Sequence, residues 1–551
     1  MKATMPSPVP NETPSTYADR LGRWYSSTVS LEHKKSYGQY LTPGPVATYM
    51  ARLFRIEADV IRLLDPGAGS GVLTCAVGEY LATKEMGVTR LNVDAYETDA
   101  GLALVLKTSL TYLEEWLSSS GITLEAVVRP DDFVMTYSQV LSHVLGDNPS
   151  LFKPDINAGG FDVVVANPPY FKIPKSDLRA KAASAVIHGQ PNIYALFMAA
   201  SAAALKPGGQ LVFITPRSYA SGPYFGLFRE RFFSTMKPEH IHVFESRSDT
   251  FKRDDILQEN IILKASREDD WSERPDRGHI WISSSNGSRD FNRSRTKRLR
   301  SDLILDVSSG DKVLHIPTTD EELAIMEKTR TWPGSLRSYG LEVSTGPVVP
   351  FRATPLLVEK GDVPATHAPL LWMQHVKAMK VQWPIPEKKK SQYIKIVDSA
   401  LKLLVPNKNY VLIRRFSAKE EPKRIVAAPV LHGQMVSSWL GLENHLNYIY
   451  KPGGELAEEE AWGLSVLYNS SMLDSYFRTM NGNTQVSATE LRAMPLPDHD
   501  TIIKLGKAAM ALTDPLQKID DLVEESLSRS RPNAGAQEDR TEGIREVHAG
   551  G

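Results

Sequence analysis

Hydrophobic and polar positions follow two alternating periods through the first half of the chain. Short runs rich in Val, Ile and Leu predict strands at Val60–Leu64, Leu91–Glu97, Leu124–Arg129, Asp162–Ala166, Leu211–Thr215, His240–Phe244 and Asn260–Ala265. Between them, apolar residues recur at helical spacing over Gly71–Lys84, Ala100–Ser119 and Asn192–Leu205, the last closed by Lys206-Pro207-Gly208-Gly209. Strands alternating with helices imply a doubly wound α/β domain. Ahead of it, residues 1–30 read as a flexible arm carrying one short helix, Tyr17–Trp24. Past Ala265 the alternation is lost. A polar, basic stretch, Asn286–Arg300, leads into a Pro-rich region interleaved with Trp and Arg, which reads as a second, α+β domain. The tail from Ser526 has the composition of a disordered segment. The expected organisation is therefore an arm (1–30), an α/β domain (31–315), an α+β domain (316–500), and a C-terminal helix with a tail (501–551).

Composition narrows this picture without deciding it. The 551 residues suffice for two or three domains, and 42% hydrophobic with 23% charged residues is ordinary for a soluble protein. One cysteine, Cys75, excludes a disulfide framework and any multi-cysteine zinc site, which fits a reducing cytoplasm. No apolar stretch has membrane-spanning length, and Met1–Thr16 lacks a signal-peptide core, so a cytoplasmic location without a membrane partner is expected. The net charge of −1 does not announce a nucleic-acid binder. Local clusters count for more than the sum. The stretch from Ser288 to Arg300 has the charge to hold phosphates, or forms a solvated loop; Arg414-Arg415 after Val411–Ile413 offers guanidinium forks to base edges.

The candidate chemistry lies at the ends of the expected strands. Asn167-Pro168-Pro169-Tyr170 begins the loop after Phe161–Ala166, where open α/β sheets bind ligands. An exocyclic amine on adenine or cytosine is a poor nucleophile because its lone pair is delocalised into the ring. An Asn side-chain oxygen and a neighbouring backbone carbonyl can each accept one N–H, which favours a pyramidal nitrogen with its lone pair aimed at a methyl donor. The prolines fix φ and hold both acceptors ready. Tyr170 offers a flat face for an extruded base. Upstream, Leu64-Asp65-Pro66-Gly67-Ala68-Gly69-Ser70-Gly71 joins the first strand to a helix. Glycines there permit a tight turn and a close approach of backbone N–H groups to a ligand. The spacing is not that of dinucleotide-binding turns, and Asp65 precedes the glycines, placed to meet a cationic amino-acid group. Glu97, ending the second strand, can accept two ribose hydroxyls; Asp132-Phe133, after the third, supplies an acceptor and an apolar face for an adenine ring. Asp99 has the simpler role of a helix cap open to it.

In order, these segments resemble motifs I (Asp65 to Gly71), II (Glu97), III (Asp132-Phe133) and IV (Asn167 to Tyr170) of S-adenosylmethionine-dependent DNA amino-methyltransferases. Cofactor motif first, catalytic motif second and a large C-terminal region last resembles the γ class, mostly N6-adenine enzymes of restriction–modification systems, and within it the BsuBI/PstI type of methylase. Tyr37-Gly38-Gln39-Tyr40-Leu41-Thr42-Pro43 resembles motif X, in which Thr42 meets the cofactor carboxylate; Thr42-Pro43 is equally an ordinary helix start. Thr250-Phe251-Lys252-Arg253 resembles motif VIII, with Phe251 either stacking on the flipped base opposite Tyr170 or sitting in the core. Asn481 to Val486 and Leu491 to Pro497 resemble the closing segment of the family's target-recognition domains.

The resemblance implies a Rossmann-like domain with a mixed seven-stranded sheet, followed by a DNA target-recognition domain. It implies S-adenosylmethionine as the methyl donor, duplex DNA as the partner, no metal, and a cognate restriction endonuclease acting as a separate protein. The catalytic set is then Asn167, Pro168, Pro169, Tyr170 and Phe251, and the cofactor set Thr42, Asp65, Gly67, Gly69, Gly71, Glu97, Asp132 and Phe133. Cytosine N4 methylation uses the same acceptor geometry and is the nearest rival. A protein glutamine N5 methyltransferase carries a similar Asn-Pro-Pro-Tyr on a much shorter chain. A fused nuclease finds too little room before Leu31, and Glu421-Pro422-Lys423 is a poor remnant of a nuclease triad.

Overall fold

The computed structural model describes residues 4–38, 41–83, 87–138, 140–141, 160–187, 191–245, 259–274, 277–287, 290–359, 366–385, 390–417, 421–482 and 484–529. The chain forms two compact units. The first comprises Met1–Arg330 with Phe416–Arg424 and Ser475–Met494; the second comprises Thr331–Arg415, Ile425–Asp474 and Pro495–Gly551.

The first unit opens with helices α1 (Pro14–Thr28), α2 (Leu31–Tyr37) and α3 (Gly44–Arg52). Strand β1 (Val60–Asp65) leads to α4 (Val72–Thr83), β2 (Arg90–Tyr96) to α5 (Ala100–Ser118), and β3 (Thr123–Arg129) to the single turn α6 (Phe133–Thr136). Strand β4 (Phe161–Ala166) is followed by α7 (Leu178–Ala182), α8 (Ile193–Ala204) and β5 (Leu205–Pro216). After α9 (Gly226–Thr235) come β6 (Met236–Phe244), β7 (Asn260–Arg267), β8 (His279–Ser285) and β9 (Arg295–Arg300). They form one sheet in the order β3-β2-β1-β4-β5-β7-β6-β8-β9. Strands β1 to β5 pair in parallel, and β7 inserts antiparallel between β5 and β6.

Strand β4 shows why the apolar run folds as a central strand. Val163 and Val165 join the core formed with α3, α4 and α5, while Val164 and Ala166 join the core on the other face, with α8 and α9. A strand covered on both faces cannot alternate with polar residues, so its sequence is continuously apolar. Helix α8 is buried on all sides; its alanines let it lie close against the sheet.

The mixed α/β sheet is the one expected, and all seven strand positions are occupied. Two further strands, β8 and β9, extend it to nine. They escape a reading by apolar runs because β9 is Arg-Thr-Lys-Arg-Leu-Arg, with only Leu299 buried. Lys206-Pro207-Gly208-Gly209 starts β5 instead of forming a separate turn. The expected arm is also different. Tyr17, Leu21 and Tyr25 of α1 are buried against Leu102 and Val105 of α5, so this segment belongs to the first unit's core.

The first unit runs past the expected boundary at 315 because later segments return to it. Ser221 donates to the buried Glu490 carboxylate (2.6 Å), Ile316 N to the Thr479 carbonyl (2.7 Å), and Arg424 to Asn481 (2.9 Å). The Asn481–Val486 segment, read from sequence as the end of a recognition domain, thus packs in the first unit through Asn481, whose side chain bonds the Gln485 carbonyl and Glu490.

The second unit is α+β. An antiparallel sheet is built from Glu342–Thr345, Leu446–Tyr450, Tyr410–Arg414 and Ala427–Val430, beside a five-stranded sheet that includes His367–Leu371 and Trp439–Leu442. Arg414 donates to the Val376 carbonyl and Arg415 to the Asn444 carbonyl, so both guanidinium groups serve the backbone of their own unit. Helices Glu458–Asn469 and His499–Met510 meet at Gly463 and Gly506. A Cβ on Gly506 falls 1.8 Å from the Glu459 carbonyl oxygen, and one on Gly463 falls 2.0 Å from that of Ile502. The helices touch backbone to backbone. Gly506→Ala is therefore expected to destabilise the second unit by about 1–3 kcal/mol or more, measured by urea unfolding; a change below about 0.5 kcal/mol contradicts this packing.

Candidate active site

The carboxyl ends of β1, β2 and β4 frame a cavity of about 300 Å³ in the first unit. That is the lower end of the range for small-molecule sites. One wall is the loop after β1. The Ala68 N–H donates to the Tyr96 carbonyl (2.9 Å) and the Gly71 N–H to the Ala68 carbonyl (2.8 Å). Gly69 and Gly71 have φ of +56° and +85°, the left-handed region that favours glycine, and a Cβ on Gly71 falls 2.9 Å from Leu106 Cδ1. Gly67 and Gly69 line the cavity; Gly71 lies behind it, against α5.

Two buried carboxyl groups hold this wall. Glu97 accepts from Gly69 N through Oε2 (3.1 Å) and from Asp99 N through Oε1 (2.8 Å), and borders the cavity. Asp65 is fully buried beneath the loop, takes a hydrogen bond from Thr74 (2.8 Å), and leaves Oδ1 without a partner at hydrogen-bond length; the neighbouring Ser70 hydroxyl is likewise buried and unpaired. Burial pushes both carboxyls up to about 7, opposed at Asp65 chiefly by the Thr74 hydroxyl and at Glu97 by the Asp99 and Gly69 N–H groups. Asp99 does cap α5, accepting from Gly101 N, and also receives Tyr25 Oη (2.5 Å) and His33 Nε2 (2.7 Å). The first two helices are thereby fastened to the loop that carries Glu97.

At the far end, Asp132 caps α6 by accepting from Met135 N (3.1 Å), and Phe133 is buried next to Tyr96 and Phe197, with ring centroids 5.4 Å away in each case. Arg179 of α7 is paired with Asp177 (2.7 Å), lies over the Phe171 ring, and comes within 3.8 Å of Asp132. Arg179, Phe171 and Phe197 were not found from sequence. Phe197 could have been, since it follows Ile193 by one helical turn on the face toward the sheet; Arg179 reaches the cavity only through long-range pairing.

The opposite wall is the loop after β4. Asn167 borders the cavity and donates from Nδ2 to Thr42 Oγ1 (3.1 Å), while its Oδ1 accepts from Tyr170 Oη (2.5 Å). Tyr170 Oη is also 3.0 Å from the Ile214 carbonyl, its ring meets Tyr194 edge-on (6.3 Å), and burial holds its phenol well above the ordinary value. Pro169 lines the cavity and Pro168 is buried beneath it. Gly38, at φ +61°, fits against the loop: a Cβ there falls 2.7 Å from Phe171 and 2.9 Å from Pro169. Thr42 is buried and reaches the cavity only through Asn167. Phe251 lies outside the described residues.

The structure thus gathers Gly67, Gly69, Glu97, Asp132, Phe133, Asn167 and Pro169 on one cavity and sets Thr42, Asp65, Gly71, Pro168 and Tyr170 as its support. S-adenosylmethionine fits this set. The apolar side chains Phe133, Ile193 and Phe197 would hold its adenine ring, Glu97 would offer acceptors to its ribose hydroxyls, and the glycine loop would admit close approach.

The chain is similar to known proteins over most of its length. The family model described as Eco57I restriction-modification methylase matches residues 108–251. Type II methyltransferase M.BsuBI of Bacillus subtilis is 34% identical over 92% of this chain and 96% of its own length. Type II methyltransferase M.PstI of Providencia stuartii is 32% identical over 91% of this chain and 95% of its own. Type II methyltransferase M.AccI of Acinetobacter calcoaceticus shares 25% identity over 44% of this chain and 39% of its length. With an α/β sheet carrying the glycine loop and the Asn-Pro-Pro-Tyr loop on one cavity, and two relatives matched almost end to end, the chain belongs to the BsuBI/PstI family of type II restriction–modification methyltransferases.

Proposed function

We propose that this enzyme methylates the N6 amino group of an adenine extruded from duplex DNA, with S-adenosylmethionine as donor, as the modification enzyme of a restriction–modification system whose endonuclease is a separate protein. The observation that carries the reading is Asn167. Its amide sits where the catalytic loop and the cavity meet, fixed from both ends by Thr42 and Tyr170.

The cofactor, when bound, supplies an activated methyl group on a sulfonium centre. Glu97 accepts the ribose hydroxyls, and the Gly67–Gly69 backbone approaches the amino-acid part. Phe133, Ile193 and Phe197 exclude water from the adenine end. Asn167 Oδ1 has two lone pairs, so it can accept an N–H of the target amine while keeping the Tyr170 hydroxyl. The Pro168 carbonyl accepts the second N–H. With both protons held, the amine is turned so that its lone pair faces the methyl group, and positioning supplies most of the acceleration. Tyr170 holds the extruded ring, and the resemblance assigns Phe251 to the same task. Asn at the first position of the loop favours adenine over cytosine.

Asn167→Ala is expected to bind the cofactor with little change in calorimetry and to lose turnover by about 100-fold or more, the scale of removing one preorganised polar group from an active site. Near-native turnover overturns the assignment.

Cofactor binding should also depend on pH through Glu97. Its carboxyl titrates near 7 because burial disfavours the charge. The ribose needs the carboxylate as acceptor, and so affinity falls as protons add below pH 7. The protein's own stability has the opposite sign: the raised pKa favours the folded, protonated form at low pH, and this contribution is lost as pH rises through 7. From pH 8 to pH 6 the cofactor Kd should rise about tenfold for one such group. A flat Kd profile over that range contradicts the carboxylate role.

A further inference from the structure

Strand β9 ends the nine-stranded sheet, with β8 on one side and, among the described residues, no strand on the other. Its sequence and the turn before it carry Arg293, Arg295, Lys297, Arg298 and Arg300. These cations are not equivalent. Lys297 pairs with Asp320 (2.7 Å), and Arg300 pairs with Asp302 (2.6 Å), which Arg330 also holds. Arg293, Arg295 and Arg298 are exposed and form no ion pair among the described residues; Asp320 lies close enough to Arg295 to feel its charge. Arg298 lies over the ring of Trp281, its cross-strand neighbour, at 5.9 Å, and that indole is 40% exposed. The cation–π contact keeps the guanidinium on the surface of the sheet edge.

The strand register sets the height of this edge relative to the catalytic loop. Ala166 is opposite Phe213, Phe213 opposite Leu263, Leu263 opposite Ile241, Ile241 opposite Ile282, and Ile282 opposite Lys297. Because β9 runs against β8, Arg295 and Arg293 lie beyond Lys297 toward the rim that carries Asn167. Five inter-strand steps of about 4.8 Å separate β4 from β9, about 24 Å along the sheet. A duplex rising 3.4 Å per base pair covers that distance in about seven base pairs. Sheet twist turns β9 relative to β4, so the register fixes the height on the rim and not the facing direction.

We propose that Arg293, Arg295 and Arg298 form a phosphate-binding edge that holds the DNA duplex at a distance from the extruded base, independent of sequence. The inference rests on the DNA reading above. Charge complementarity selects the partner: three unpaired guanidinium groups on a free edge suit a polyanion. The competing use of cations at a sheet edge is to block strand addition by another chain.

The test measures duplex binding against salt concentration for the full chain carrying Arg293→Gln, Arg295→Gln and Arg298→Gln together. Specific and unrelated duplexes should both bind about tenfold or more weakly, with the slope of log Kd against log salt shallower by about 2–3. The corresponding triple change to Lys should keep the wild-type slope, which excludes misfolding as the cause. Lys297→Gln, whose charge is already neutralised by Asp320, should leave the slope as it is. An unchanged slope in the Gln triple overturns the proposal, and self-association of that variant without loss of DNA binding assigns the arginines to edge protection instead. A wild-type chain that binds no duplex overturns the DNA reading itself.

Discussion

Two carboxyl groups, Asp65 and Glu97, are kept out of water at the ends of neighbouring parallel strands, and the shape of the cavity depends on keeping them there. Burying a carboxyl is costly unless hydrogen bonds compensate it. Here the compensation comes from groups that the cavity needs in place: the backbone N–H groups of Gly69 and Asp99 on Glu97, and the Thr74 hydroxyl on Asp65. The same groups that are strained by burial therefore hold the glycine loop in its left-handed turn. Asp99 carries the constraint outward, through Tyr25 and His33, to the first two helices.

The second half of the site is tied to the first through the N-terminal segment. Gly38 and Thr42, from the segment between α2 and α3, reach across to Pro169, Phe171 and Asn167. Helix α1 packs on α5, the helix that Asp99 caps. The N-terminal helices thus join the glycine-loop wall of the cavity to the Asn167 wall, which is why a segment that resembles an arm in sequence is part of the core.

Much of this was legible in the sequence, for physical reasons that differ from element to element. Buried parallel strands must be apolar throughout, and so β1, β4 and β5 announce themselves. Glycines at positive φ and an Asn-Pro-Pro-Tyr loop are visible because few other residues can take their place. Residues whose role arises from distant pairing were not visible: Arg179 meets Asp132 across the cavity, and Asn481 and Glu490 return to the first unit from the far end of the chain. Strand β9 was hidden by its own charge, since an edge strand needs to bury only one side chain to stay in the sheet. Tyr170 showed its identity but not its hydrogen bonds, which attach the phenol to Asn167 and to the Ile214 carbonyl.

Asn167 is the proposed point where a methyl donor in the cavity meets an amine presented at the loop after β4, and that amine is proposed to be an adenine N6. The most direct measurement is transfer of labelled methyl from S-adenosylmethionine to unmethylated duplex DNA by the full chain, followed by nucleoside analysis of the product. Label in N6-methyladenine is the result the account predicts. Label in N4-methylcytosine contradicts the assignment of the base, and absence of label from DNA while the cofactor is bound contradicts the DNA reading as a whole.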